Sequence, residues 1–563
     1  MLHLPWNVRV ASLTVSWLLV VIIVIELDRP PSPVSGASSP SLFSADRAVN
    51  HLAHLSRAPH PINSPEHDQV RDYLLNTLQE MGLAQDVQKS SVDVQGRSLT
   101  VENILGRLKG SENRKAVLVV AHYDSVATGP GASDDGAAVA AMLECIRVLK
   151  SLPQLKRDVI FLFSDGEERG LLGAQAFVGG HPWAHDVGFV LNFEARGNRG
   201  PAMMFETSSR NGWLISHFGQ AVSHPVANSL SYEIYKRLPN DTDFTIFRRA
   251  GFSGLNFAFI DGLAYYHSPF DTVQNLDKGS LQHQGDYMVE MATQLGNTTA
   301  DDPRTDNLIY FDLFGKVLVR YGSGPGFIFL LLAIMLVLTA FYVAKRRGAA
   351  KLSSSVIGAV FVLPGVLIVV VAAWAAAWVL WITHILSILA GRNHDPALYV
   401  AICTLIGVAC GAAFFMAVIR RIGTENFSLG SLLVWSLLAV LANIYLIGAS
   451  YLLLWPLLFS AVGWTLVLAS DRTSTATKAI ILGVSGAAVI AIIIPLAHKI
   501  FFAFSVRSSP MVGALLGLSI SLLIGPIAAG LPRSRRVQGQ RDFATANDSR
   551  LGERSPEKTA IAL

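Results

Sequence analysis

Along this chain the apolar residues follow two different rhythms. Between about residues 30 and 320 they come as short β-branched runs and amphipathic stretches separated by polar turns. From 325 to 531 they come as long, almost uncharged blocks. In the first region the runs Val117–Val120, Val159–Phe163, Val187–Phe193 and Leu255–Ile260 are apolar except for Asn192 and Asn256, and do not alternate. That pattern predicts strands buried on both faces, as in a parallel sheet. Helical stretches fall between them, over Ala137–Lys150, Leu171–Val178 and Leu281–Leu295. An earlier helix is announced by Ser64-Pro65-Glu66, a capping hydroxyl followed by proline and an acid, and runs to Met81 before Gly82. Val92–Val94 and Leu99–Leu108 read as strands around a turn at Gly96. Strands alternating with helices predict an α/β fold with a mixed, mainly parallel central sheet.

The long blocks predict membrane helices, which need about 20 apolar residues each. They lie near Pro325–Val343, Val356–Ile382, Ala397–Ile419, Leu429–Ile447, Tyr451–Ala469, Ala479–Leu496 and Val512–Leu531, with the boundary at Gly448 the least sharp. Val10–Leu27 adds a span near the start, longer than the apolar core of a signal peptide and therefore read as an uncleaved anchor. The expected organisation is an anchor over 1–28, a Pro/Ser-rich linker and lead-in helix over 29–58, and a soluble α/β domain over 59–305. An all-α transmembrane domain of about seven helices over 325–531 and a disordered cytoplasmic tail over 532–563 complete it.

Charge adds orientation. Lys345-Arg346-Arg347, Arg420-Arg421, Arg472/Lys478 and Arg533-Arg535-Arg536 all fall on one side of the predicted spans, and the positive-inside tendency makes that side cytoplasmic. Lys499 and Arg507 fall on the other side, as mild exceptions. The soluble domain lies between the first two spans and therefore faces away from the cytoplasm. A net charge of +4 with basic residues clustered at span ends is a topology signal, which argues against a nucleic-acid partner. Few ionisable residues sit in the span centres, which favours an anchor or scaffold over a transporter. His384, His394 and Asp395 fall in a loop and read as solvated. Of Cys145, Cys403 and Cys410 only the first is in the soluble part, so no disulfide closes within it.

The candidate chemistry gathers where strands end. The run Val117–Val120 leads into His122-Tyr123-Asp124, and the small-residue loop after it ends at Asp134-Asp135-Gly136. An imidazole nitrogen and a carboxylate oxygen suit zinc. Asp124, two residues after His122, is placed to accept the other imidazole N–H. The next two strands end in Glu167-Glu168 and in Glu194. One such ending reads as an ordinary polar turn. Three on one side of one sheet read as a site, because ligands of open α/β sheets bind beyond the carboxyl ends of the strands. His267, in the Tyr266-His267-Ser268 stretch, can supply a second imidazole. His181, His185, His217, His224 and His283 read as surface or packing residues.

With His122-x-Asp124, Asp134-Asp135, Glu167-Glu168, Glu194 and Tyr266-His267 in view, together with the PHPINSPEH and SDGEERGLLGA segments, the stretch Pro59 to Leu295 resembles a known family. It is similar to the co-catalytic di-zinc aminopeptidases of metallopeptidase family twenty-eight, the group of aminopeptidase Y and glutamate carboxypeptidase II. The added spans resemble the membrane-bound branch of endoplasmic-reticulum and vacuolar membrane metallopeptidases. The resemblance implies a three-layer sandwich and two zinc ions. It implies that Asp134 bridges the ions, with His122 and Glu194 at one and Glu168 and His267 at the other. Glu167 would be the general base, Asp124 a partner of His122, and Tyr266 a donor to the developing oxyanion. Relatives also carry a cis peptide at the place of Asp134–Asp135. Glu194 departs from many soluble members, which have Asp there. Arg196 is a candidate contact to a substrate carboxylate, with a structural salt bridge as the plain alternative.

The expected function is a membrane-anchored, zinc-dependent exopeptidase that cleaves near a free N-terminus. Its partners are peptide and the lipid bilayer; oligomeric state is left open. Ala/Gly-rich composition places it in a bacterial inner membrane with the domain periplasmic, or facing an organelle lumen in a eukaryote. The rivals are an inactive scaffold or receptor on the same fold, an accessory domain of a transporter, and a single-zinc aminoacyl cyclase.

Overall fold

The computed structural model describes residues 5–94, 96–300, 304–383, 396–470, 474–504 and 508–530. His384, His394, Asp395, Arg472, Arg507 and the tail over 532–563 lie outside the described residues. The chain begins with helix α1 (Trp6–Leu27), then α2 (Ala45–Leu55) and α3 (Pro65–Glu80). Next come β1 (Ala84–Val94), β2 (Arg97–Leu108), β3 (Ala116–His122), α4 (Gly136–Ser151), β4 (Val159–Ser164), α5 (Leu172–Gly180) and β5 (Val187–Ala195). They are followed by β6 (Met203–Thr207), α6 (Gly212–Ala221), α7 (Ser229–Tyr235), α8 (Asp243–Arg249), β7 (Ser253–Phe259) and α9 (Lys278–Asn297). A hairpin of β8 (Ile309–Leu313) and β9 (Val317–Tyr321) leads into the next long helix.

Seven strands form one sheet in the order β1-β2-β4-β3-β5-β7-β6. Its centre, β4-β3-β5-β7, is parallel, and the outer pairings are antiparallel. Successive side chains of a strand point to opposite faces, so Val117 and Val119 enter the core beneath α2, α4 and α9. Leu118 and Val120 enter a second core, where they meet Phe177 of α5 and Phe244 and Phe247 of α8. Helices on both faces make the three-layer sandwich. The helix starts follow their capping residues: the Ser44, Ser64 and Asp277 side chains accept from Arg47 N, His67 N and Ser280 N.

Strand β1 begins at Ala84, well before the Val92–Val94 expected from the sequence. The added part is an edge strand of polar residues held by its in-register ladder to β2, so it has no apolar run to reveal it. Strand β6, helices α6 to α8 and the β8–β9 hairpin are further elements the apolar pattern did not announce.

Eight helices among the described residues are long and apolar enough to cross a membrane. After α1 they are Ser323–Arg346, Leu352–Thr383, Pro396–Ile422, Thr424–Tyr445, Tyr451–Ala469, Thr475–Phe504 and Ser509–Ala529. The break expected at Gly448 is a short 3-10 turn, Ile447–Ala449. The sandwich rests on this bundle through side-chain contacts. Phe311 of β8 stacks on Tyr451 with ring centroids 4.7 Å apart. Trp455 Nε1 donates to the Tyr321 hydroxyl at 3.2 Å, and Ser229 Oγ donates to the Gly448 carbonyl at 2.5 Å. Lys499, on the seventh span (Thr475–Phe504), is buried, with Nζ 3.0 Å from Asp28 Oδ1 and 3.2 Å from Asp312 Oδ1. The lysine that broke the basic pattern in the sequence thus joins the end of α1, the hairpin and the seventh span.

Candidate metal centre

The register of the parallel strands assembles the site. His122, the last residue of β3, lies opposite Ser164, the last residue of β4. Just beyond, Gly166 adopts a left-handed φ of 69° and turns the chain into the short helix Glu167–Arg169. A glycine takes that conformation without steric cost. The turn brings Glu167 and Glu168 over the ends of β3 and β4. Glu194 stands near the end of β5, the other neighbour of β3. His267 comes from the loop after β7 and holds a left-handed φ of 54°, unusual for a residue with a Cβ.

Asp134 faces both imidazoles. Its Oδ1 lies 3.3 Å from His122 Nε2 and its Oδ2 lies 3.1 Å from His267 Nε2. His267 Nε2 is also 3.0 Å from Glu168 Oε1, and His122 Nε2 is 3.8 Å from Glu194 Oε2. Two groups of possible ligands result, His122–Asp134–Glu194 and Asp134–Glu168–His267, the donor atoms of each lying within 4.8 Å of one another. Donors bound about 2.0–2.1 Å from a tetrahedral zinc stand about 3.3 Å apart, so these spacings suit an ion at the middle of each group. His267 Nε2 and Glu168 Oε1 are buried, close together and without a hydrogen-bond partner. Buried polar atoms are rarely left so unless something else binds them. The residues present therefore fit two divalent cations that share Asp134.

The electrostatics agree with that fit. Burial drives the Glu167 carboxyl well above its ordinary range; nearby Glu194, Asp243 and Glu168 add to the shift and His122 opposes it. Burial also pushes Glu194 up to about 8 and raises Asp135 strongly. His267 is moved up to about 9 because, against its own desolvation, Asp134 and Glu168 favour the imidazolium. Acids outnumber imidazoles here, and the cluster is short of positive charge. Cations would supply it and hold the carboxylates ionised.

The supporting contacts differ in part from the sequence reading. The His122 Nδ1 partner at 2.9 Å is the backbone carbonyl of Asp124, while the Asp124 carboxylate stands 3.5 Å away. That carboxylate instead accepts from Glu167 N at 3.0 Å and Glu168 N at 3.3 Å, and so positions the loop that carries both glutamates. The Asp134–Asp135 peptide is cis. Asp271, assigned no role from sequence, accepts from Ser133 N at 2.8 Å and Asp134 N at 3.2 Å. An aspartate four residues after His267 looks like any turn former, so only its spatial return to Asp134 gives it a role. Asn192 Nδ2 donates to Glu194 Oε1 at 2.9 Å. Tyr266 stacks on His267, with ring centroids 3.7 Å apart, and lines the same cleft as Asp134, Glu167, Glu194 and Arg196. His181, His185, His217, His224 and His283 belong to neither ligand group; His181 Nε2, for example, lies 3.3 Å from Asp86.

Residues 103–292 match Peptidase family M28. Curated relatives include endoplasmic reticulum metallopeptidase 1 of Homo sapiens, 32% identical over 320 residues, covering 52% of this chain and 35% of that protein. Another is a vacuolar membrane protease of Candida dubliniensis, 31% identical over 278 residues, covering 47% of this chain and 29% of that protein. The chain thus spans about a third of the length of these relatives. Among solved structures, an aminopeptidase from Aneurinibacillus sp. strain AM-1 is similar at 15% identity with a TM-score of 0.40, covering 48% of this chain and 98% of that one. A glutaminyl cyclase of Porphyromonas gingivalis is similar at 20% identity with a TM-score of 0.38, covering 45% and 98%. His122, Asp134, Glu167, Glu168, Glu194 and His267 all lie inside the matched segment: residues 103–292 correspond to a Peptidase family M28 domain, and a bundle of apolar helices is joined to it.

Proposed function

We propose that this protein is a membrane-embedded zinc exopeptidase that releases residues from the free N-terminus of peptides. The observation that carries the reading is Asp134, whose two oxygens face two separate imidazoles, each with a further glutamate, beside the carboxylate of Glu167, which belongs to neither group. His122, Asp134 and Glu194, and Asp134, Glu168 and His267, are the residues that would hold zinc, which when bound would supply Lewis acidity and lower the pKa of water. Glu167 takes a proton from the attacking water and returns it to the leaving amine. Tyr266, in the same cleft, donates its hydroxyl to the developing oxyanion. The free α-ammonium group of a peptide sits near Glu167, the carboxylate outside both ligand groups, which suits substrates with an open N-terminus. Arg196, which also lines the cleft, is the proposed contact to a substrate carboxylate.

The sandwich joins the N-terminal end of the second span through β9, and that span ends at the basic residues Lys345 and Arg346. Positive-inside orientation then puts the domain in the periplasm of a bacterium, or in an organelle lumen. The test is a screen of aminoacyl-anilides and dipeptides with the full chain in nanodiscs, with bound metal quantified in parallel. Hydrolysis with two zinc ions per chain supports the reading. Absence of tightly bound zinc supports a scaffold, and a single ion with cyclase activity supports the cyclase. No hydrolysis together with solute flux in vesicles would make the domain a transporter accessory.

A further inference from the structure

The cleft that holds Asp134, Glu167 and Glu194 does not end within the sandwich. Beyond the proposed ligands its wall is Met203, Phe205 and Ile260, and then Leu496, Lys499 and Ile500 of the seventh span. Asn240 and Thr242 give it one polar side. Met203 and Phe205 are backed by an apolar cluster with Val226 and Ala258. Residues 496, 499 and 500 share one face of a helix. The buried ion pairs of Lys499 with Asp28 and Asp312 hold that face toward the sandwich. The open space of the whole cleft, from the proposed ligands to the seventh span, is about 150 Å³.

We propose that the seventh span is a specificity-determining wall of this cleft. Leu496 and Ile500 bound a subsite for a large aliphatic or aromatic side chain of the substrate, next to the scissile bond. The inference rests on the peptidase reading above. Its chemistry is direct. The acid-rich end binds the polar end of a peptide, and the apolar end gains about 25 cal/mol per Å² of apolar surface removed from water. A peptide with a small or charged residue at that position leaves Leu496 and Ile500 facing solvent. On this basis the membrane bundle takes part in substrate selection as well as attachment.

The experiment uses the full chain in nanodiscs with zinc. The ratio of kcat/KM for phenylalanyl over alanyl 4-nitroanilide is measured for the wild type, Leu496→Trp, Ile500→Trp and Ile500→Ala. The control is Val484→Trp, on the same helix at a position 66% exposed on the bundle surface. Filling the subsite is expected to lower the ratio at least tenfold in the Trp variants. Ile500→Ala is expected to raise the relative rate for tryptophanyl anilide, and the control to keep the wild-type ratio. A second readout needs no turnover: calorimetric Kd values of Phe-Gly and Ala-Gly for Glu167→Gln, alone and combined with Ile500→Trp. The preference for Phe-Gly should disappear in the combined variant. If the wild type turns over aminoacyl substrates but ratios and Kd preferences are the same in every variant, the wall assignment fails and the peptidase reading stands. If the wild type turns over nothing, the peptidase reading fails and the Kd preferences alone decide whether the subsite exists.

Discussion

Two buried charge clusters sit near opposite ends of the same cleft, and they are built in opposite ways. At the strand ends, Asp134, Glu168, Glu194, His122 and His267 approach one another at 3.0 to 3.8 Å, and ring and carboxylate atoms remain without hydrogen-bond partners. At the bundle, Asp28 and Asp312 also present more acid than a neutral interior tolerates, but the Lys499 ammonium lies between them. The chain carries its own cation in the second cluster, and in the first the proposed reading leaves that charge to external ions. Charge supplied by a side chain fixes architecture. Charge left to an ion can also do chemistry, because an ion has coordination positions open to substrate.

The sharpest way to break this contrast is Asp134→Ala. It removes the carboxylate common to both groups, and bound zinc, read by elemental analysis, should fall from two ions to none, with peptide hydrolysis at background. Glu167→Gln should come next. It leaves every proposed ligand in place, so both ions stay while turnover falls about 10²- to 10⁴-fold, the contribution typical of a positioned general base. Retained hydrolysis would refute the base assignment. Lys499→Met tests the other cluster. Two buried carboxylates lose their counter-charge, and breaking such a pair costs about 3–5 kcal/mol. Thermal unfolding in detergent should move down by several degrees with zinc content unchanged, and a loss of zinc instead would mean that the two clusters are coupled. The smallest effect is expected from Ser64→Ala, which removes the cap of α3 and should cost about 1 kcal/mol of stability without altering the zinc stoichiometry.

The acid-rich end of the cleft was legible as a cluster because its residues lie at strand ends, where the apolar runs stop and the acids begin. That punctuation marked His122, Asp134, Glu167, Glu168 and Glu194 as candidates, and the family resemblance supplied their expected roles. His267 was harder, since its loop only returns to the sheet in three dimensions, and Asp271 was illegible for the same reason. The Asp124 carboxylate shows a finer limit. Its spacing from His122 suggested a bond to the imidazole, but the turn at Gly166 brings the Glu167 and Glu168 amides within its reach and the backbone carbonyl takes the ring. The bundle end was legible only as length and apolarity. A uniformly apolar helix carries no periodic signal for which face meets a neighbour. Lys499 therefore read as a topological exception rather than as a partner of residues 187 and 471 positions away in the chain. The polar part of β1 before Val92 and the short helices α6 to α8 escaped for a related reason, since ladder bonds and long-range packing, rather than local periodicity, hold them.

The double attachment of the sandwich has one more consequence. It is held by α1 through the linker at one end, by the hairpin running into Ser323 at the other, and by the salt link from the seventh span across both. A single cut in the exposed Pro30–Pro40 stretch would leave it docked. Shedding a soluble fragment takes a second cut near the hairpin as well as rupture of the Phe311–Tyr451 stack, so limited proteolysis should yield a nicked but sedimenting species before anything is released.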